Sequence, residues 1–200
     1  MELLNKGGAL VAGGRGILLI GLSLILILTA CGQSETNGML DIEDVQVEDL
    51  QDGAHPYVGD ANKNRELIMR LPGNRNFQGM EISGHHLIVQ YGLQEDSAIS
   101  EEQFRMFWLH EDRLEQLLVH NAAALLLFTG NAEQVTLQLN EDVRKHFLVL
   151  QREGLTSWLG VEPAVFLEDP AMWEEAVLDG LVGNKAAREQ FLQQYPIVTE

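Results

Sequence analysis

Hydrophobic and polar positions divide the chain into one apolar run near its start and a series of short periodic segments after it. Ile17 to Thr29 is uncharged and nearly all Ile and Leu, interrupted by Gly21 and Ser23. Its 13 residues fall short of the ~20 that a hydrocarbon core demands. From Asn62 to Leu71 the spacing turns helical, with Leu67, Ile68 and Leu71 inward and Pro72-Gly73 as the stop. Met80 and Ile82, then Leu87, Val89 and Tyr91, alternate with polar neighbours around Ser83-Gly84, which predicts a β-hairpin. Ser100-Glu101-Glu102-Gln103 fits a capping box, yet the aromatic run Phe104 to Leu109 suits a helix or a strand equally.

Asp112 to Thr129 carries the clearest helical stripe, Leu114, Leu117, Leu118, Leu125 and Phe128, with Ala122 to Ala124 for close packing. Val135, Leu137 and Leu139 alternate with polar residues as in a half-buried strand. Asn140-Glu141-Asp142 turns the chain, Phe147 to Leu150 reads as a further strand, and Arg152 to Leu159 as a short helix closed by Gly160. Asp169 and Pro170 open another helix through Leu181, and Asn184 caps a last one carrying Phe191 and Leu192. The expected fold is α+β: a small antiparallel sheet with helices on one face, plus a C-terminal helical extension.

Lys6 and Arg15 precede the apolar run, and Leu28-Thr29-Ala30-Cys31 closes it with the only cysteine. This stretch resembles a bacterial lipobox, where a signal peptidase cuts before a lipidated cysteine. The resemblance implies a signal peptide over 1–30 and diacylglycerol on Cys31, holding the chain on the extracytoplasmic face of a cell membrane. Two acyl chains anchor stably where one does not. Residues 32–52 hold seven acids and no Lys or Arg, the composition of a self-repelling tether with an r.m.s. reach of ~25 Å. Leu40, Ile42, Val45 and Val47 suit a short edge strand as an alternative. The expected division is then signal peptide 1–30, anchor and tether 31–52, an α+β domain 53–163 and a helical extension 164–200.

The whole chain carries a formal charge of −17. Without residues 1–30 it keeps 11 basic and 29 acidic side chains. That balance excludes a nucleic-acid partner, which needs clustered Lys and Arg, and adsorption on an anionic lipid surface.

Tyr57-Val58-Gly59-Asp60-Ala61-Asn62-Lys63, Leu71-Pro72 and Leu87-Ile88-Val89-Gln90-Tyr91 form an ordered set with Asn121-Ala122-Ala123, Leu127-Phe128 and Asn131. Over residues 54–160 this set resembles the domain of unknown function numbered 4825. The family's Pro-Tyr-Gly-Leu turn is replaced here by Gly84-His85-His86-Leu87. The resemblance implies an extracytoplasmic domain, lipid-anchored or fused to membrane proteins, with no catalytic residues to transfer. Some of those fusions resemble membrane metalloproteases that sense β-lactams, which implies sensing or interaction.

Candidate chemistry is sparse. The six histidines, His85 and His86 among them, show no metal-ligand spacing, so neither metal nor cofactor is expected. Gly59-Asp60 reads as a turn with a helix cap rather than a ligand loop. Paired acids such as Glu101-Glu102 and Glu174-Glu175 fit an acidic surface better than a hydrolase, and no Gly-x-Ser-x-Gly elbow occurs. Trp108 with Phe104 and Phe107 forms the best binding candidate if exposed. The expectation is a non-enzymatic binding or sensing module, with a membrane-protein partner as the alternative context. An unpaired edge strand at 133–139 would capture an incoming strand.

Overall fold

Alternation of apolar residues on both sides of Ser83-Gly84 builds the first hairpin. β1 (Phe77–Ser83) pairs antiparallel with β2 (His86–Gly92), from Gly79↔Gln90 to Ser83↔His86, after a bulge at Phe77/Gly79. Gly84 holds φ +61° and His85 does not take positive φ, as a type II′ turn requires. This comes from a computed structural model, which describes residues 39–200. Cys31 and the expected signal peptide over 1–30 lie outside the described residues.

Two helices follow. Ser100 Oγ accepts from Gln103 N (3.1 Å) and Ser100 N donates to Gln103 Oε1 (2.9 Å). This capping box settles the open segment as helix α3 (Glu101–Leu109). α4 (Arg113–Phe128) is buried at every position from Leu117 onward. It therefore lies inside the molecule rather than along one side of it.

The return from α4 changes the expected topology. β3 (Gln134–Asn140) runs parallel to β2, in register from His86↔Gln134 to Gly92↔Asn140. A connection containing two helices permits that crossover. β4 (Lys145–Gln151) returns antiparallel to β3, and a two-residue β5 (Val198–Thr199) pairs with His146 and Phe147. The strand order is β1-β2-β3-β4-β5, mostly antiparallel in an α+β fold. β3 is central, so the expected edge at 133–139 does not exist: its neighbours on both sides are filled.

The expected tether is also corrected where the structure describes it. Residues 42–44 form a 3₁₀ turn capped by Asp41, and α1 (Val47–Asp52) follows. Met39, Ile42, Val45, Val47 and Leu50 are buried in the core. Arg113 pairs with Asp41, and Gly73 N donates to Leu40 O (3.0 Å). α2 (Ala61–Ile68) starts as expected at Asp60, whose Oδ1 accepts from Lys63 N (3.1 Å).

The expected C-terminal helical extension is present, and it packs on the domain. α5 (Arg152–Leu159), α6 (Pro163–Glu168) and α7 (Pro170–Met172) lead into a π-helical segment, Trp173–Val182, and then α8 (Lys185–Gln194). Phe166, Trp173, Val177, Leu181 and Phe191 join the same core as α4. Arg188, fully buried, pairs with Asp112 and with Glu115 (3.3 Å) at the start of α4 and donates to Val182 O. A buried guanidinium needs such partners.

Candidate functional site

The pleat sends one side of the sheet to the helices and the other to solvent. Leu87, Val89 and Tyr91, with Val135, Leu137 and Leu139 and with Leu148 and Leu150, are buried under α4. The opposite face follows from the register: Glu81–Ile88–Thr136–Val149 in one row, Gly79–Gln90–Gln138–Phe147 in the next, with Val198 beyond Phe147. Val149 is 46% exposed and Val198 50%. Glutamines at 90, 134, 138 and 151 share this face, where Glu81 and Lys145 are the only Asp, Glu, Lys or Arg of the strands. In a chain of −17 that is an area of low charge.

One end of this face runs into a cleft of about 730 Å3, lined by His85, His86, Glu133, Arg152, Glu153 and Glu162 among others. The type II′ turn holds His85 at the rim, where its Nδ1 lies 2.8 Å from Glu133 Oε1. His86 Nε2 meets Thr136 Oγ1 (2.9 Å) and Gln134 Nε2 (3.2 Å). Arg152 donates from Nε to Ala132 O (2.6 Å) and from its terminal nitrogen to Thr129 O. Burial lowers the Arg152 pKa from its ordinary value, and the nearby Glu133 carboxylate opposes that shift. The cleft thus offers amide, imidazole and carboxylate groups around a guanidinium already spent on backbone.

A second cleft, about 450 Å3, lies between α3, the 93–99 loop and the β3–β4 turn, with Glu95, Glu101, Arg105 and Glu141 in its wall. Glu141 Oε2 pairs with Arg144 Nε (2.7 Å) and lies 3.8 Å from His146 Nε2.

The aromatic candidates fall elsewhere. Trp108 is fully buried, packs on Tyr91 at 5.1 Å and donates from Nε1 to Asn76 Oδ1 (2.9 Å). Phe107 is 8% exposed and Phe104, at the wall of the second cleft, 3%. An exposed aromatic anchor at Trp108, Phe104 and Phe107 is therefore replaced by core packing. Gly73, at φ +73°, lies against the Trp108 ring so closely that a Cβ there would overlap it.

The histidines are dispersed. His55 bonds Gly53 O and Asn64, His120 sits inside the core, and His146 bonds Thr199. Among the described residues no group of three or more His, Cys, Asp or Glu is placed to hold a metal ion. None of their helices is long and apolar enough to cross a membrane.

Sequence reading missed the cleft because its residues come together from the β1–β2 turn, the start of β3, α5 and the start of α6. Glu133 is 48 positions from His85, and the backbone bond from Glu133 N to His85 O (2.9 Å) brings them together. No family model, curated protein or solved structure matches this chain.

Proposed function

We propose that the chain is a lipid-anchored extracytoplasmic binding or sensing module without catalytic activity of its own. The location rests on the lipobox-like Leu28-Thr29-Ala30-Cys31. The observation that carries the binding reading is the sheet face that the described residues leave open, low in charge and continuous with the His85–Glu133 cleft. Helices bury the other face, so a partner meets Gln90, Thr136, Gln138 and Val149 first. Neutral amides there recognise hydrogen-bonding groups without a fixed sign of charge. The resemblance to the domain of unknown function numbered 4825 is part of the same proposal, and a membrane sensor or protease is the partner it suggests.

The test uses the full chain in intact cells, with a photo-crosslinking residue at Gln138 or, as control, at exposed Glu168 on the helical side. Capture from 138 and not from 168 is expected, with loss of membrane fractionation in Cys31→Ser. A captured membrane protease would make the chain an accessory or inhibitory subunit. Equal capture from both positions would sink the assignment of the face.

A further inference from the structure

The sheet treats its two edges differently. The β4 edge is partly covered by β5, and Pro196, without an N–H, stands just before that pairing. β1 is the other end of the strand order, and among the described residues no strand pairs with its outer side. Native edges are usually blunted by Lys, Pro, a bulge or a covering element. Here the bulge occupies only the start, at Phe77/Gly79. From Gly79 to Ser83 the strand is regular and contains neither Lys nor Pro.

The register identifies which groups face outward. In a two-residue hairpin the pair flanking the turn exchanges both bonds, and bonded and unbonded pairs then alternate. Ser83↔His86, Glu81↔Ile88 and Gly79↔Gln90 are thus the bonded pairs. The N–H and C=O groups of Met80 and Ile82 point to the free edge. Their side chains lie on the helical side, half-buried against the core, where an added strand would cover them. Glu81 stands between them on the outer face, exposed, where a neighbouring strand would meet it.

A strand added here pairs with Met80 and Ile82 through hydrogen bonds, which leaves Glu81 in the closely spaced, unbonded position. A second copy pairing antiparallel over Gly79–Ser83 would place its own Glu81 against this one, and like charges directly opposite destabilise. The net charge of −17 adds to that repulsion. We infer that β1 is a docking edge for an extended segment of another protein, with Lys or Arg opposite Glu81 and apolar residues on either side of it. Glu81 borders the open face and Ser83 the cleft, but the pairing groups are the backbone of Met80 and Ile82, so the edge is tested apart from either.

The full chain in detergent would be titrated with a blocked, fluorescein-labelled peptide, Ser-Thr-Val-Lys-Val-Thr-Ser, and with its twin carrying Glu in place of Lys. Anisotropy should show the Lys peptide binding, and Met80 and Ile82 amides should exchange deuterium about tenfold more slowly at a roughly ninefold excess over Kd. Glu81→Lys should cut the preference for the Lys peptide by about fivefold or more. Glu48→Lys, an equal change of net charge on α1, should leave it unaltered. Ile82→Pro should abolish binding, since its N–H is not used by β2; if that variant fails to fold, Glu81→Lys decides. No binding at millimolar peptide, binding without protection of those two amides, or a preference indifferent to Glu81→Lys would each overturn the inference.

Discussion

His120 shows how one residue can couple the fold to pH. Asn121 turns its NH2 toward Pro72 O (2.9 Å) and the Tyr91 hydroxyl (3.3 Å), so its Oδ1 receives the Nδ1–H of His120 at 3.0 Å. Its Nε2 is buried without a hydrogen-bond partner beside the edge-on Trp173 ring, a setting that favours the neutral imidazole. Burial pulls its pKa from 6.5 down to about 4, with Asn121 and Asp41 opposing the shift and Arg113 reinforcing it. The unfolded chain takes up the proton first as pH falls. Stability is thus complete above about pH 6.5 and declines toward pH 4, by about 3 kcal/mol. Urea midpoints across that window should fall in the native chain, and His120→Leu should flatten the decline. An identical slope in the variant would assign it to other groups. Periodicity marked α4 as helical but gave no sign of this histidine's setting, because every side of that helix is covered from Leu117 onward.

Among the elements, residues 39–52 carry the sharpest lesson. Their acids were legible as solvent-facing, and Glu43, Asp44, Glu48 and Asp49 are indeed exposed. Composition alone concealed that Met39, Ile42, Val45, Val47 and Leu50 between them dock into the core. Burial of such side chains contributes roughly 1.5–3 kcal/mol each, which together rivals the ~5–15 kcal/mol of a whole domain. A chain begun at residue 53 should therefore fail to give a cooperative urea transition, whereas one begun at Ser34 should keep it. Equal stability of the two would return the segment to the role of a tether. β3 fails as an edge for a related reason: Val135, Leu137 and Leu139 announce a strand with one buried face, but alternation is the same for a central strand as for an outer one.

For the whole molecule, the question is whether one cooperative unit or two results. Trp158 packs edge-on against Phe191, and Trp173 against Phe128 of α4, so two of the three tryptophans report on the C-terminal helices. The buried Arg188, held by Asp112 and Glu115, ties α8 to the start of α4. Unfolding followed by tryptophan fluorescence and by far-ultraviolet circular dichroism should give coincident curves. An earlier fluorescence transition would mean that residues 164–200 melt on their own.

The sequence by itself determined the local elements. Period-2 alternation marked the hairpin and the β3 segment, and Ser100 with Gln103 and Asp60 marked helix starts. Each depends on neighbours a few positions apart, which is the range that propensity and capping report. Only the tertiary structure decided that β2 and β3 run parallel, that among the described residues β1 and not β3 ends the sheet, and that Trp108 is core. It also decided that His85 meets Glu133. These follow from which strands lie side by side, a choice set by total burial over the whole chain, and alternation within one strand carries no information about its neighbour.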